Sequence, residues 1–220
     1  MATNDTAKRN RFSDTFGYAS GRAATKVVGK MTPYVQEFIQ NAPFVIQASA
    51  DADGNCDASP KGGKPGFVKV LDEKHLVFPD VAGNKLFQTY QNLDSNSHIG
   101  LLFLIPGVND VVRVNGRVTI VDQEELEKMD VEVALFEIDE RSHHLQGIVI
   151  EVDESYTHCP RALKFSDLWN PETISANIAE RPIQARYPNY SRPEGATRRA
   201  FGTFPQGVSG DADAFSPFTA

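Results

Sequence analysis

Three short stretches concentrate side chains able to hold an anion. The first, Asp57-Ala58-Ser59-Pro60-Lys61-Gly62-Gly63, puts a hydroxyl, an ammonium and two unobstructed glycine amides close together, a donor set suited to a phosphate. The second, Phe78-Pro79-Asp80-Val81-Ala82-Gly83-Asn84-Lys85, reads as a strand running into a helix that starts near Asn84. Amides at a helix start point outward, and Lys85 would add charge beside them. The third, His158-Cys159-Pro160-Arg161-Ala162-Leu163-Lys164-Phe165-Ser166-Asp167-Leu168-Trp169, spaces Arg161 and Lys164 to share a helix face, with the only tryptophan close behind. An aromatic beside cations can edge a flat conjugated ring. Each stretch also has a plain structural reading: a polar hairpin loop, ordinary helix capping, and an amphipathic surface helix.

Other chemistry is poorly supported. His143 and His144 lie near Glu137, Asp139 and Glu140, but neighbours on an extended segment point to opposite faces and chelate one ion badly. No metal site is expected. His158 and Cys159 are adjacent in sequence and lack an identified base and oxyanion site, so they do not make a catalytic pair. The acidic run from Asp122 through Glu127 suits a solvated helix N-terminus.

The elements that would position these stretches follow from pattern. Thr32-Pro33 opens a helix whose apolar face is Val35, Phe38 and Ile39, ending at Asn41-Ala42-Pro43. Strands are expected over Phe44–Ser49, Cys56–Lys61, Phe67–Leu71 and His75–Phe78, with turns at Asp51–Asn55 and Asp72–Lys74. Leu86, Tyr90 and Leu93 mark a helix over 84–93. Ile99–Ile105 reads as a buried central strand, and Val111–Val121 as a long strand interrupted by a bulge at Asn115-Gly116. A short helix over Glu124–Met129 and a strand over Gln146–Val152 complete the set. Short strands joined by hairpins predict a mainly β (α+β) fold, an antiparallel split β-barrel with a few flanking helices. Residues 1–30 read as an arm that orders by docking, 31–180 as the domain, and 181–220 as an extension holding five prolines among scattered aromatics.

The chain carries 22 Lys plus Arg against 29 Asp plus Glu, a net charge of −7, which argues against nucleic acid as a partner. Two cysteines are too few for a disulfide framework. No stretch approaches a bilayer span and no apolar run follows Lys8, Arg9 and Arg11, so a soluble, cytoplasmic protein without membrane contact is expected.

In combination and order, Ala58-Ser59-Pro60-Lys61-Gly62, Pro65-Gly66-Phe67-Val68, Gly83-Asn84, Gly100-Leu101-Leu102-Phe103, Arg113-Val114-Asn115-Gly116-Arg117 and Cys159-Pro160-Arg161-Ala162-Leu163 resemble the FMN-binding split barrels related to pyridoxamine 5′-phosphate oxidase, over residues 32–170. The resemblance implies FMN as cofactor, a homodimer with flavin in the groove between subunits, and small-molecule electron donors and acceptors. It implies that Ser59–Lys61 and Gly83, Asn84 and Lys85 hold the phosphate, while Val68–Val70 and Phe78, Pro79 and Asp80 border the ring and ribityl chain. Arg113, Arg161, Lys164 and Trp169 would reach the flavin from the second subunit. Two departures stand out: Asn84-Lys85-Leu86 replaces a paired basic stretch, and 181–220 lacks the Arg-x-His element of the vitamin-B6 oxidases. A flavin-dependent oxidoreductase is the first expectation, and a non-catalytic flavin carrier or sensor the alternative. Haem or a deazaflavin on the same barrel is a third; haem would need His75, His98 or His158 facing the groove.

Overall fold

Proline, glycine and capping side chains set most of the element boundaries in the computed structural model, which describes residues 10–81, 86–138 and 142–180. Two short helices come first, α1 (Arg11–Phe16) and α2 (Arg22–Thr25). Thr32 then accepts a hydrogen bond from the Val35 amide and Pro33 fills the first turn of α3 (Pro33–Asn41), which buries Val35, Phe38 and Ile39 as its periodicity requires.

Strands β1 (Phe44–Ala50) and β2 (Cys56–Gly62) form a hairpin, and β3 (Lys69–Val70) and β4 (His75–Val81) form another. After α4 (Gln88–Ser95) come β5 (His98–Leu104), β6 (Val111–Asp122), α5 (Gln123–Lys128) and β7 (His144–His158). The seven strands make one antiparallel sheet in the order β2-β1-β5-β6-β7-β4-β3. The sheet is not closed by backbone pairing, which is the split barrel expected. Its concave side carries Val45, Leu101, Phe103, Val112, Val114, Ile148, Ile150 and Val152, packed with the buried face of α3 into one core. Alternation of buried and exposed residues along β5 and the first half of β6 is what turns these strands toward it.

The expected irregularity in the long strand is present: the β6–β7 register shifts between Asn115 and Gly116. The reason is steric. A Cβ on Gly116 would lie 3.0 Å from Ile150 Cγ2 and far closer to the Glu151 carbonyl oxygen.

Other boundaries differ from the sequence reading. Of Phe67–Leu71 only Lys69 and Val70 pair as strand, because the Phe67 amide closes a turn on the Lys64 carbonyl and Phe67 and Val68 point into the core. The helix expected from Asn84 begins instead at Gln88, after Phe87 in the left-handed region (φ 52°). Strand β7 runs through to His158, six residues beyond the Val152 end expected. Just before α3 the chain is tied to β7: Val28 and Ser155 exchange backbone hydrogen bonds of 3.2 and 2.8 Å, and the buried Ser155 hydroxyl donates to the Lys30 carbonyl at 2.7 Å.

Two units divide the chain, Met1–Ala82 with Phe87–Pro160, and Gly83–Leu86 with Arg161–Ala220. The described part of the second holds α6 (Arg161–Phe165) and α7 (Pro171–Glu180). Within it Asn170 caps α7 by accepting from the Glu172 amide at 2.8 Å, and the Arg161 guanidinium sits 4.9 Å from the Phe165 ring centroid.

Candidate functional site

Strand β2 alternates. Asp57, Ser59 and Lys61 are partly covered, while Cys56, Ala58, Pro60 and Gly62 are exposed. At the end of this strand the Lys61 ammonium donates to Asp80 Oδ1 at 2.8 Å. These residues stand near opposite ends of the strand order, so the ion pair joins the two sides of the split where no backbone ladder does. Beside it lies a small pocket of about 50 Å³, lined by Lys61, Gly62, Phe67, Phe78, Pro79, Asp80, Ala134 and His144.

The pocket is held in shape from several directions. Phe67 meets Phe78 edge to face at 5.7 Å. The segment after α5 forms one wall, pinned by the Lys64 amide on the Ala134 carbonyl (2.7 Å) and by the Lys69 ammonium on the carbonyls of Met129 and Asp130 (2.8 and 2.6 Å). A Cβ on Gly63 would meet the Ala134 oxygen at 2.6 Å, so this approach requires glycine. Burial, with Asp80 nearby, pushes the Tyr90 phenol well above its ordinary range, while a hydrogen bond with Gln146 works the other way.

His144 is the unexpected member. It is 7% exposed, and its buried Nε2 has no hydrogen-bond partner among the described residues. Buried polar atoms are seldom left so, and those that are tend to mark a ligand or ordered water. The adjacent His143 is exposed, the opposite-face arrangement that alternation predicts. Burial pushes the His144 imidazole below its usual pKa, with the Glu127 carboxylate partly opposing. A folded-state pKa depressed below 6.5 means the unfolded chain binds the extra proton first. Stability is therefore full above pH 6.5 and declines as pH falls from there toward the folded-state value. Urea unfolding of wild type between pH 7.5 and 5.5 should show this slope, and His144→Leu should flatten it; an identical slope in both proteins would refute the assignment.

The structure brings together Lys61, Phe78, Pro79 and Asp80 around this pocket, while Ser59, two residues earlier on β2, does not line it. Val68 and Phe78 are 1% and 2% exposed, so they offer a ligand little beyond their backbone. Arg113 lies on the opposite face of the sheet, its guanidinium 5.4 Å from the Tyr156 ring centroid, and does not join the Lys61 pocket. Arg161, Lys164 and Trp169 belong to the second unit. Gly83, Asn84 and Lys85 lie outside the described residues; α4 begins at Gln88.

A second cavity escaped the sequence reading. It is a groove of about 530 Å³ around Ala48, Ala58, His98, Gly100 and Asn115, on the sheet face away from the core. The signal was the small residues recurring on one face of β1, β2 and β5, which singly look like ordinary strand alanines and glycines. Among the described residues no three His, Cys, Asp or Glu side chains converge as a metal site, and no helix is long and apolar enough to cross a membrane.

The family described as pyridoxamine 5′-phosphate oxidase matches residues 31–159. No curated protein matches the chain. Among solved structures, a protein of Lactobacillus delbrueckii provisionally titled a pyridoxamine 5′-phosphate oxidase is 21% identical, with 60% of this chain and 99% of that one covered and a TM-score of 0.46. HupZ of Group A Streptococcus is 19% identical over 58% of this chain and 93% of its own, with a TM-score of 0.43. An FMN-binding protein of Syntrophomonas wolfei is 12% identical over 56% and 82%, also at 0.43.

Proposed function

The chain belongs to the pyridoxamine 5′-phosphate oxidase family, and from that premise we propose that it is an FMN-binding flavoprotein acting as an oxidoreductase, with the flavin held between two copies of the chain. The observation that carries the reading is the Lys61–Asp80 pocket, where a cation, the Gly62 backbone and an orphaned imidazole nitrogen converge at the rim of the barrel. These residues fit the phosphate end of FMN. Lys61 supplies the charge, the Gly62 backbone an unobstructed approach, and His144 Nε2 a hydrogen bond that nothing among the described residues satisfies.

At about 50 Å³ the pocket cannot enclose a three-ring system, so the ring must lie outside it and find a wall elsewhere. A second copy is the wall we propose. The sheet face away from the core supports this: it exposes Phe44 (38%) and carries the groove around Ala48 and Gly100. An exposed apolar face on a strand sheet is the kind of surface that homodimers cover.

Bound FMN supplies hydride and electron transfer between small molecules. The protein's tasks in this reading are to anchor the phosphate, to fix the ring's orientation and to exclude water from its reacting edge; no side chain is required as acid or base. The test is direct. Purified protein should absorb as a flavoprotein and scatter light as a dimer, with turnover by reduced nicotinamide separating an enzyme from a carrier. Colourless protein that takes up no added FMN would end the reading.

A further inference from the structure

On the sheet face away from the core, two cations and an imidazole crowd one aromatic ring. The Lys26 ammonium lies 5.0 Å and the Arg113 guanidinium 5.4 Å from the Tyr156 ring centroid, and the His158 ring is 6.5 Å from the same ring. Lys26, Arg113 and Tyr156 are half-buried and His158 is exposed at the rim. Among the described residues neither Lys26 nor Arg113 pairs with a carboxylate.

Acidic side chains are present nearby but committed. Glu154, two residues from Tyr156 on the same face, accepts from Asn115 Nδ2 at 2.7 Å. Glu151 and Asp153 both turn to Arg117, each at 3.4 Å. In a chain of net charge −7 the described residues thus leave a basic cluster unneutralised. Partial burial, together with Lys26 and Arg113, pushes the His158 imidazole below its usual pKa, as a locally positive surface would.

Long-range folding assembles the cluster. Lys26 comes from the N-terminal segment, more than 80 residues before Arg113, and is brought alongside β7 by the paired hydrogen bonds of Val28 with Ser155 and by the Ser155 hydroxyl on Lys30. Ser155 is fully buried, so that clamp is part of the folded structure rather than a surface contact. Cation–π contacts account for where the two cations rest. They do not remove the repulsion among like charges gathered at one ring, which an anion would relieve.

We propose that Lys26, Arg113 and His158 form an oxyanion-binding site for the phosphate or carboxylate group of a small molecule. The guanidinium offers a planar fork to two oxygens, the ammonium a movable point charge, and the imidazole a third donor when protonated. Nothing in this site depends on flavin occupying the Lys61 pocket. Two sources share this chemistry: the phosphate of a flavin nucleotide seated here instead of at the Lys61 pocket, and the acidic group of a separate small molecule.

The test follows the His158 imidazole by NMR in the full-length protein, titrated with inorganic phosphate in a phosphate-free buffer. Phosphate should raise the midpoint of His158 titration by about 1 pH unit, the shift that a tenfold preference for the protonated form produces. Arg113→Ala and Lys26→Gln should each weaken phosphate binding about tenfold. Lys26 lies outside the sheet, so its variant serves if Arg113→Ala fails to fold. Lys61→Ala should leave the response of His158 unchanged, because Lys61 lies on the other face. Repeating the titration with FMN added, and FMN uptake scored separately by absorbance, identifies the source. A response that persists in FMN-saturated protein points to a separate acidic molecule, and one that FMN abolishes points to the flavin's own phosphate. No movement of His158 in wild type, or movement in both charge-removing variants equal to that in wild type, overturns the proposal.

Discussion

Protein carrying Lys61→Ala together with Lys85→Ala should purify without flavin colour, its affinity for FMN lowered by about 3–6 kcal/mol, or roughly 10²–10⁴-fold. The Lys61 half of this expectation rests on geometry. Its ammonium is held by Asp80 with side-chain exposures of 26% and 16%, so both charges are partly shielded from water and interact more strongly than surface groups do. Removing the lysine deletes a phosphate contact and also leaves Asp80 facing the phosphate uncompensated. The Lys85 half rests on the family resemblance. Lys61→Arg, which keeps the charge, should retain most of the affinity. Folded double variant, checked by circular dichroism, with unchanged FMN retention would place the phosphate elsewhere.

Gly116→Ala should lower the free energy of unfolding by about 3 kcal/mol, and the melting midpoint by roughly 6–12 °C. The added methyl would be driven into the Glu151 carbonyl, a backbone atom in the middle of the β6–β7 ladder that cannot swing aside. Relief requires separating the two longest strands at their bulge. Gly100→Ala on the neighbouring strand is the control. Its Cβ meets the Asn115 side-chain oxygen at 3.3 Å and Ala48 Cβ at an ordinary 4.0 Å, and the cost should stay below about 1 kcal/mol. Similar losses for both would mean that the close approach at Gly116 is not what constrains the bulge.

The bulge was legible because glycine weakens a β-branched run and packs nothing, so it is kept there where a backbone must come close. The α3 boundaries were legible because Thr32-Pro33 and Ala42-Pro43 act locally. Where the reading slipped, tertiary packing had overridden local pattern. Phe67 and Val68 look like strand residues but are drawn inward by the core, and Tyr90 and Leu93 share a helix that starts later than their spacing alone suggests. Of the site, Lys61 and Asp80 were identified as residues, but their meeting across the split depends on how the sheet rolls, which no local pattern encodes. His144 was seen only as half of a doubtful metal pair. Its importance lies in an unsatisfied nitrogen, a property of the folded surroundings rather than of the sequence. The Lys26–Arg113 juxtaposition was invisible for the same reason, since the segment carrying Lys26 is placed by contacts of Val28 to Lys30 with Glu73, Lys74 and Ser155, all distant in sequence.

The strand order also decides how this sheet can and cannot grow. Its outermost members are β2, where Pro60 removes one amide hydrogen from the rim, and β3, which is only two residues long. Neither margin offers a neighbouring molecule a continuous row of donors and acceptors, so end-on recruitment of foreign strands, the first step toward fibrils, finds no template. Self-association is thereby steered away from ribbon extension and onto side chains.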